Sequence, residues 1–122
     1  QRQMCIRDRC DGRLAGVFIA RAKNLGDENL GYDLKFDEEQ RKQSAHMEIA
    51  MVRKEYRGQG LQRKMMEESE QILKEQGYHY LLGTAHPDNV ASVNTFLKLQ
   101  YEQVMTKEKY GGMKRSIFCK EI

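Results

Sequence analysis

No stretch of this chain comes near the run of roughly 20 apolar residues that a membrane-spanning helix needs. Proline occurs once and glycine ten times in 122 residues, a composition wrong for a disordered chain. Cysteine is scarce and odd in number. Cys5, Cys10 and Cys119 contain no C-x-x-C pair and cannot close into a disulfide framework, so a reducing cytoplasm is the expected compartment. His46, His79 and His86 lack the i, i+4 spacing of a helical zinc site, and no cysteine stands close to any of them, so no metal centre is expected. An excess of one charge is missing too. The formal charge of +3, 21 basic less 18 acidic residues, favours neither a nucleic-acid partner nor a membrane surface. What is there is 39% apolar and 32% charged, the make-up of an ordinary globular chain large enough for one core.

The opening "QRQMCIRDRC" has no initiator methionine and shows no clear periodicity. Its "MCIRDR" is similar to the translation of a transposon adapter used in sequencing libraries. The expectation is that residues 1–10 are a non-native leader outside the fold and that the domain comprises residues 11–122.

Residues 14–20, "LAGVFIA", form a continuous apolar run with the look of a buried strand. A polar, acidic stretch up to Ser44 reads as a loop or ragged helical excursion. Met47, Ile49 and Met51 then alternate with His46, Glu48 and Ala50, which predicts a strand with two distinct faces. Leu61, Met65, Ile72 and Leu73 fall on one stripe of a helix that Gly77 ends. "YHYLLGTA" at 78–85 predicts a further strand, and Pro87, Asp88 and Asn89 a turn with an N-cap. Val93, Phe96, Leu97 and Leu99 mark a second helix, and residues 101–107 and 115–122 a closing hairpin. Strands alternating with helices argue the α/β or α+β class.

Between strand and helix lies Arg57-Gly58-Gln59-Gly60-Leu61-Gln62. A helix N-terminus has N–H groups without intrahelical partners and about half a positive charge, so it favours an anion. Glycines let backbone approach a bulky phosphate. Arg53, Lys54, Arg57, Arg63 and Lys64 surround the turn, opposed by Glu55. The P-loop pattern G-x-x-x-x-G-K-[ST] is absent, and a dinucleotide fingerprint would need a small residue where Arg63 stands. A glycine pair by itself serves a plain strand-to-helix turn as well as a ligand site.

Arg57-x-x-Gly60 within "EYRGQG" resembles the acyl-coenzyme A motif of the GCN5-related N-acetyltransferases (GNAT). Asn89, Ser92, Phe96, Leu99 and Tyr101 in "NVASVNTFLKLQY" are similar in spacing to that family's second motif. The resemblance covers residues 14–122. It implies a mixed, mostly antiparallel central sheet flanked by helices, and transfer of an acetyl group from acetyl-CoA to a small-molecule or peptide amine. It implies that the diphosphate sits on Gly58, Gln59, Gly60, Leu61 and Gln62 beside Arg57. The pantetheine arm would run along residues 50–52, with Met51 and Val52, and touch Asn89. It further implies that the chain lacks the family's first strand and helices. No nucleic-acid or membrane partner is expected, and a homodimer is allowed.

The pattern departs from the family at Gln62 and Gln100, both common glycine or small-residue positions, and at Phe96. Many members carry there a tyrosine that protonates the departing thiolate. A thiol with pKa near 8.5 also leaves as its anion, and water or Tyr110 could substitute. For the base that takes the amine proton, the candidates are Glu48 and His46, two residues apart on one strand face. The alternative for both is structural: an ion-paired glutamate and a strand histidine. The alternative for the whole chain is a non-catalytic acyl-CoA binding or sensing module, which Phe96 favours. Cys119 reads as a small hydrophobe rather than a nucleophile.

Overall fold

The apolar run at residues 14–20 becomes the second strand of a sheet. In the computed structural model, which describes residues 2–22, 26–109 and 111–122, the strands are β1 (Arg2–Cys10), β2 (Arg13–Ala22), β3 (Ser44–Val52), β4 (Tyr80–Ala85), β5 (Glu102–Lys109) and β6 (Met113–Glu121). Among the described residues they form one six-stranded sheet in the order β1-β2-β3-β4-β6-β5. Only β3 and β4 run parallel. The other four pairings are antiparallel. The helices are α1 (Glu38–Lys42), α2 (Leu61–Glu75) and α3 (Val90–Lys98). The mixed, mostly antiparallel sheet with flanking helices is the architecture expected above.

The first residues do have an element. Arg2–Cys10 pairs along its length with β2, and Met4 and Ile6 pack against the core while Cys5, Arg7 and Arg9 are exposed. The alternation is present in the sequence but masked, because Asp8 occupies an inward position and Cys5 an outward one. Asp8 is tolerated there because Lys64 of α2 stands 3.7 Å from its carboxylate.

Period-two alternation sorts the side chains onto two faces. Leu81 points to the helical layer, joining Phe18, Met65, Met66, Leu73, Phe96 and Phe118. Leu82 points the other way, to Leu30 and Ile117 under Leu34 and Phe36. The acidic stretch that read as a loop supplies this second cover. It contains 3-10 turns at Gly26–Glu28 and Leu30–Tyr32, then α1, whose Asp37 and Gln40 form a reciprocal capping box.

Helix α2 buries Met65, Met66, Ser69 and Leu73. Met66 and Ser69 were not among the residues read from sequence; Ser69, polar but on the same stripe as Met65 and Leu73, is accommodated because its hydroxyl donates to the Met65 carbonyl at 2.9 Å. The helix ends as expected at Gly77, with φ of 93°. Tyr78 N–H donates to Leu73 C=O and Gly77 N–H to Lys74 C=O, the paired bonds of a Schellman stop. Helix α3 ends by the same bonds, Tyr101 to Phe96 and Gln100 to Leu97. There the left-handed residue is Gln100, with φ of 69°.

Candidate functional site

Strand β3 is where the sheet opens. Its parallel pairing with β4 covers Ser44↔Tyr80 to Met47↔Gly83 and stops, although β3 continues to Val52 and β4 to Ala85. On the other side, Ile19 pairs with Ile49 and Ala20 with Met47, which leaves Glu48 as the extra residue of a β-bulge. One inserted residue inverts the alternation beyond it. Ala45 and Met47 face the helical layer before the bulge, and Ala50 and Val52 do so after it. The two-faced strand read from Met47, Ile49 and Met51 is therefore corrected at its far end. Met51 emerges 60% exposed.

Glu48 sits on this bulge, at the first β3 position past the last β4 pair, and its side chain is 26% exposed. Arg21 on β2 donates to its Oε1 from Nε at 2.9 Å and from Nη2 at 2.6 Å. His46 Nδ1 lies 3.3 Å from the same oxygen. No described residue bonds to Oε2. The His46 hydrogen bond and the Arg21 guanidinium together outweigh burial and hold the carboxyl below the usual carboxylate range. Glu48 in turn raises Arg21. Sequence spacing brought His46 and Glu48 together correctly. Arg21, 27 residues away, carried no sequence signal beyond being a charge at the end of an apolar run.

His46 is buried, at 4% exposure. The backbone N–H of Leu30 donates to its Nε2 at 3.0 Å. An amide N–H can only donate, so Nε2 is the bare nitrogen and the ring proton is on Nδ1, directed at Glu48.

The glycine loop leads from β3 into α2 through a 3-10 turn at Lys54–Tyr56. Gly58 and Gly60 have φ of 80° and 78°, and a β-carbon on either would meet nothing within 4 Å. The backbone conformation favours glycine at both positions, and the space above the loop is open. Gly60 is the N-cap of α2 and no side chain caps the helix. The first bond of the helix runs from Lys64 N–H to Gly60 C=O at 3.0 Å, so the N–H groups of Leu61, Gln62 and Arg63 have no intrahelical acceptor. Gln59 is exposed and Gln62 half-buried beside them. This arrangement fits a diphosphate.

Much of the basic cluster is already engaged. Arg53 donates to Leu14 C=O, Arg57 to Val52 C=O at 3.1 Å, and Arg63 pairs with Glu67 at 3.1 Å. Arg57 thus ties the loop back to the strand that feeds it.

Asn89 caps α3: its Oδ1 accepts from Ser92 N–H at 3.2 Å. Phe96 is buried, stacked on Phe118 with centroids 4.6 Å apart and edge-on to Tyr101 at 5.0 Å. Its Cζ lies over Gly83, the β4 residue at which pairing with β3 ends. Tyr110 lies outside the described residues. Cys119 is half-buried, and burial with nearby Glu121 and Glu102 pushes its thiol up to about 11, which suits a packing residue. No group of three or more metal-binding side chains occurs among the described residues.

Residues 2–101 match the model of the Acetyltransferase (GNAT) family. No curated protein matches the chain in sequence. Among solved structures, the ribosomal-protein-alanine N-acetyltransferase from Brucella melitensis is similar with a TM-score of 0.75 at 16% identity, over 97% of this chain and 68% of that one. An IAA acetyltransferase from Bacillus cereus gives 0.78 at 10%, over 99% and 79%. The PaiA N-acetyltransferase from Thermoplasma acidophilum, solved in complex with coenzyme A, gives 0.72 at 14%, over 98% and 61%. At these identities the likeness is one of fold. The family match spans the bulged strand, the bare helix mouth and the capped third helix together, and with it the chain belongs to the GNAT family of acyltransferases, which move an acetyl group from acetyl-CoA to an amine.

Proposed function

We propose that this chain binds acetyl-CoA with its diphosphate on the N–H groups of residues 58–62 and its pantetheine arm along β3 beyond Met47, and that Glu48 is the base for an amine acceptor. The observation that carries the reading is the coincidence of the two openings. The unpaired end of β3 past Met47 leads through one short loop into the uncapped N-terminus of α2. An extended chain held at the second would lie beside unpaired backbone at the first. Met51, Val52 and Asn89 would line its course, and Arg57 would add charge at the diphosphate.

Acetyl-CoA supplies an activated acyl group and a thiolate leaving group. The chain's own residues must hold it, orient the amine and move one proton. The Arg21 and His46 bonds go to Oε1 of Glu48 and leave Oε2 outside the clamp. That oxygen is suited to accept an N–H hydrogen bond from the amine, directly or through water. A carboxylate held in its ionised form is a weak base, but the nitrogen's proton becomes strongly acidic as the C–N bond forms, so a weak base suffices. His46, with its one lone pair engaged by Leu30, supports this role rather than competing for it. A small amine or a peptide amine is the acceptor class, in a cytoplasmic setting.

The test is acceptor-dependent release of free thiol from acetyl-CoA across a panel of amines, with wild type beside Glu48→Gln. The reading expects release with at least one amine and a loss of about 10²-fold or more in the variant. Full coenzyme A binding without release from any amine would instead favour a sensing module.

A further inference from the structure

The acidic segment between β2 and β3 does more than cover the sheet. It is fastened to the sheet face opposite the helical layer at three points. Glu28 stands 3.6 Å from Arg21 of β2, Leu30 N–H bonds His46 of β3 at 3.0 Å, and Asp33 pairs with Lys107 of β5 at 2.7 Å. Two of the three fasteners are the residues that hold Glu48. Asn29 reinforces the middle one: its Oδ1 accepts from Gly31 N–H at 2.8 Å, and its Nδ2 donates to Arg41 C=O at 3.3 Å. That fixes the turn that presents the Leu30 amide.

We propose that His46 is a positioning residue: the Leu30 amide fixes its tautomer, and its Nδ1–H with Arg21 holds Glu48 Oε1 so that Oε2 faces the opening between β3 and β4. This rests on the reading of Glu48 as the base. The charged and titratable groups set against Glu48 are Arg21 from β2, Glu28 acting through Arg21 from the 3-10 turn, and His46 from β3 itself. The position needs such a clamp. Glu48 has no ladder partner on either side, because β2 skips it and the pairing with β4 ends at Met47, so its backbone alone does not fix its side chain. The direction of the Glu48 shift agrees, since the His46 hydrogen bond is its largest cause.

Two measurements test the proposal. Nitrogen NMR of histidine-labelled wild-type protein at pH 8 should show His46 as the Nδ1–H tautomer with Nε2 accepting a hydrogen bond. The kinetic test compares His46→Leu, which removes both bonds, with His46→Gln, which keeps one donor and one acceptor. His46→Leu should lower kcat by about 10- to 100-fold, the scale of a misplaced catalytic group, with coenzyme A affinity unchanged. Its acid-side fall in kcat should move to higher pH, because the bond that lowers Glu48 is gone. His46→Gln should restore most of the rate. The Nε2–H tautomer in wild type, or a His46→Leu variant with wild-type kcat and pH profile, overturns the proposal. The underlying reading fails separately, through a Glu48→Gln variant that keeps its full rate. A slow Glu48→Gln beside an unaffected His46→Leu would leave the base in place and remove only the clamp.

Discussion

The ring of Phe96 covers Gly83 so closely that a β-carbon there would stand 2.6 Å from Cζ and 2.8 Å from Cε1. Gly83 is also the last β4 residue bonded to β3. The aromatic residue of α3 therefore reaches the point where the sheet parts. A phenyl ring there can donate no proton.

Restoring the hydroxyl should accelerate the reaction. Phe96→Tyr is expected to raise kcat by about 10- to 100-fold, up to the lower end of the 10²–10⁴-fold that general acid help commonly supplies, with little change in coenzyme A affinity. Steady-state kinetics in parallel with calorimetry checks this. A rate unchanged in a folded variant would mean that the thiolate leaves without help from this position.

Gly83→Ala should be destabilising for the complementary reason. The new methyl must displace a ring already stacked on Phe118 at 4.6 Å, and overpacking of this kind costs about 1–3 kcal/mol. Urea unfolding should show a lower midpoint at unchanged slope.

Gln100 offers the opposite change. It holds φ of 69° at the stop of α3, a conformation costing a non-glycine residue about 1–2 kcal/mol. Gln100→Gly relieves that strain and loses about 0.5–1 kcal/mol to the unfolded chain's freedom. The net expectation is a gain of about 0.5–1 kcal/mol, read as a rise of a few degrees in thermal midpoint.

Glu48 sets a pH dependence of stability. Its folded carboxyl is depressed, so its contribution is fully present above the unfolded value, about 4.3. It is lost as pH falls from there through the lower folded value. Thermal unfolding between pH 3 and 6 should fall less steeply for Glu48→Gln than for wild type. Parallel slopes would mean that the clamp from Arg21 and His46 holds no net energy.

The sequence made the two helices, their caps and the closing hairpin legible because each carries a local signal: Gly77 after an apolar stripe, Asn89 before one, glycines between two strand-like runs. It did not reveal the bulge at Glu48. The alternation of Met47, Ile49 and Met51 looks regular, and only the pairing with β2 shows that one residue has been inserted. Arg21 and Leu30 were invisible for the same reason, since their meeting with Glu48 and His46 is made by the sheet and by a turn packed under it. The strand at Arg2–Cys10 was not legible because Asp8 and Cys5 blur its alternation. The strand-to-helix turn at Gly58 and Gly60 was legible in its two glycines, both at positive φ, while the internal bonds of Arg53 and Arg57 needed the fold.

The most direct measurement is titration calorimetry of coenzyme A into the wild-type protein and into Gly60→Asp, at low and moderate salt. The account predicts one bound molecule, weakened by salt, and an affinity at least about tenfold lower when a carboxylate faces the diphosphate at the helix mouth. A wild type that releases no heat of binding, or a Gly60→Asp variant that binds as tightly as wild type, would contradict it.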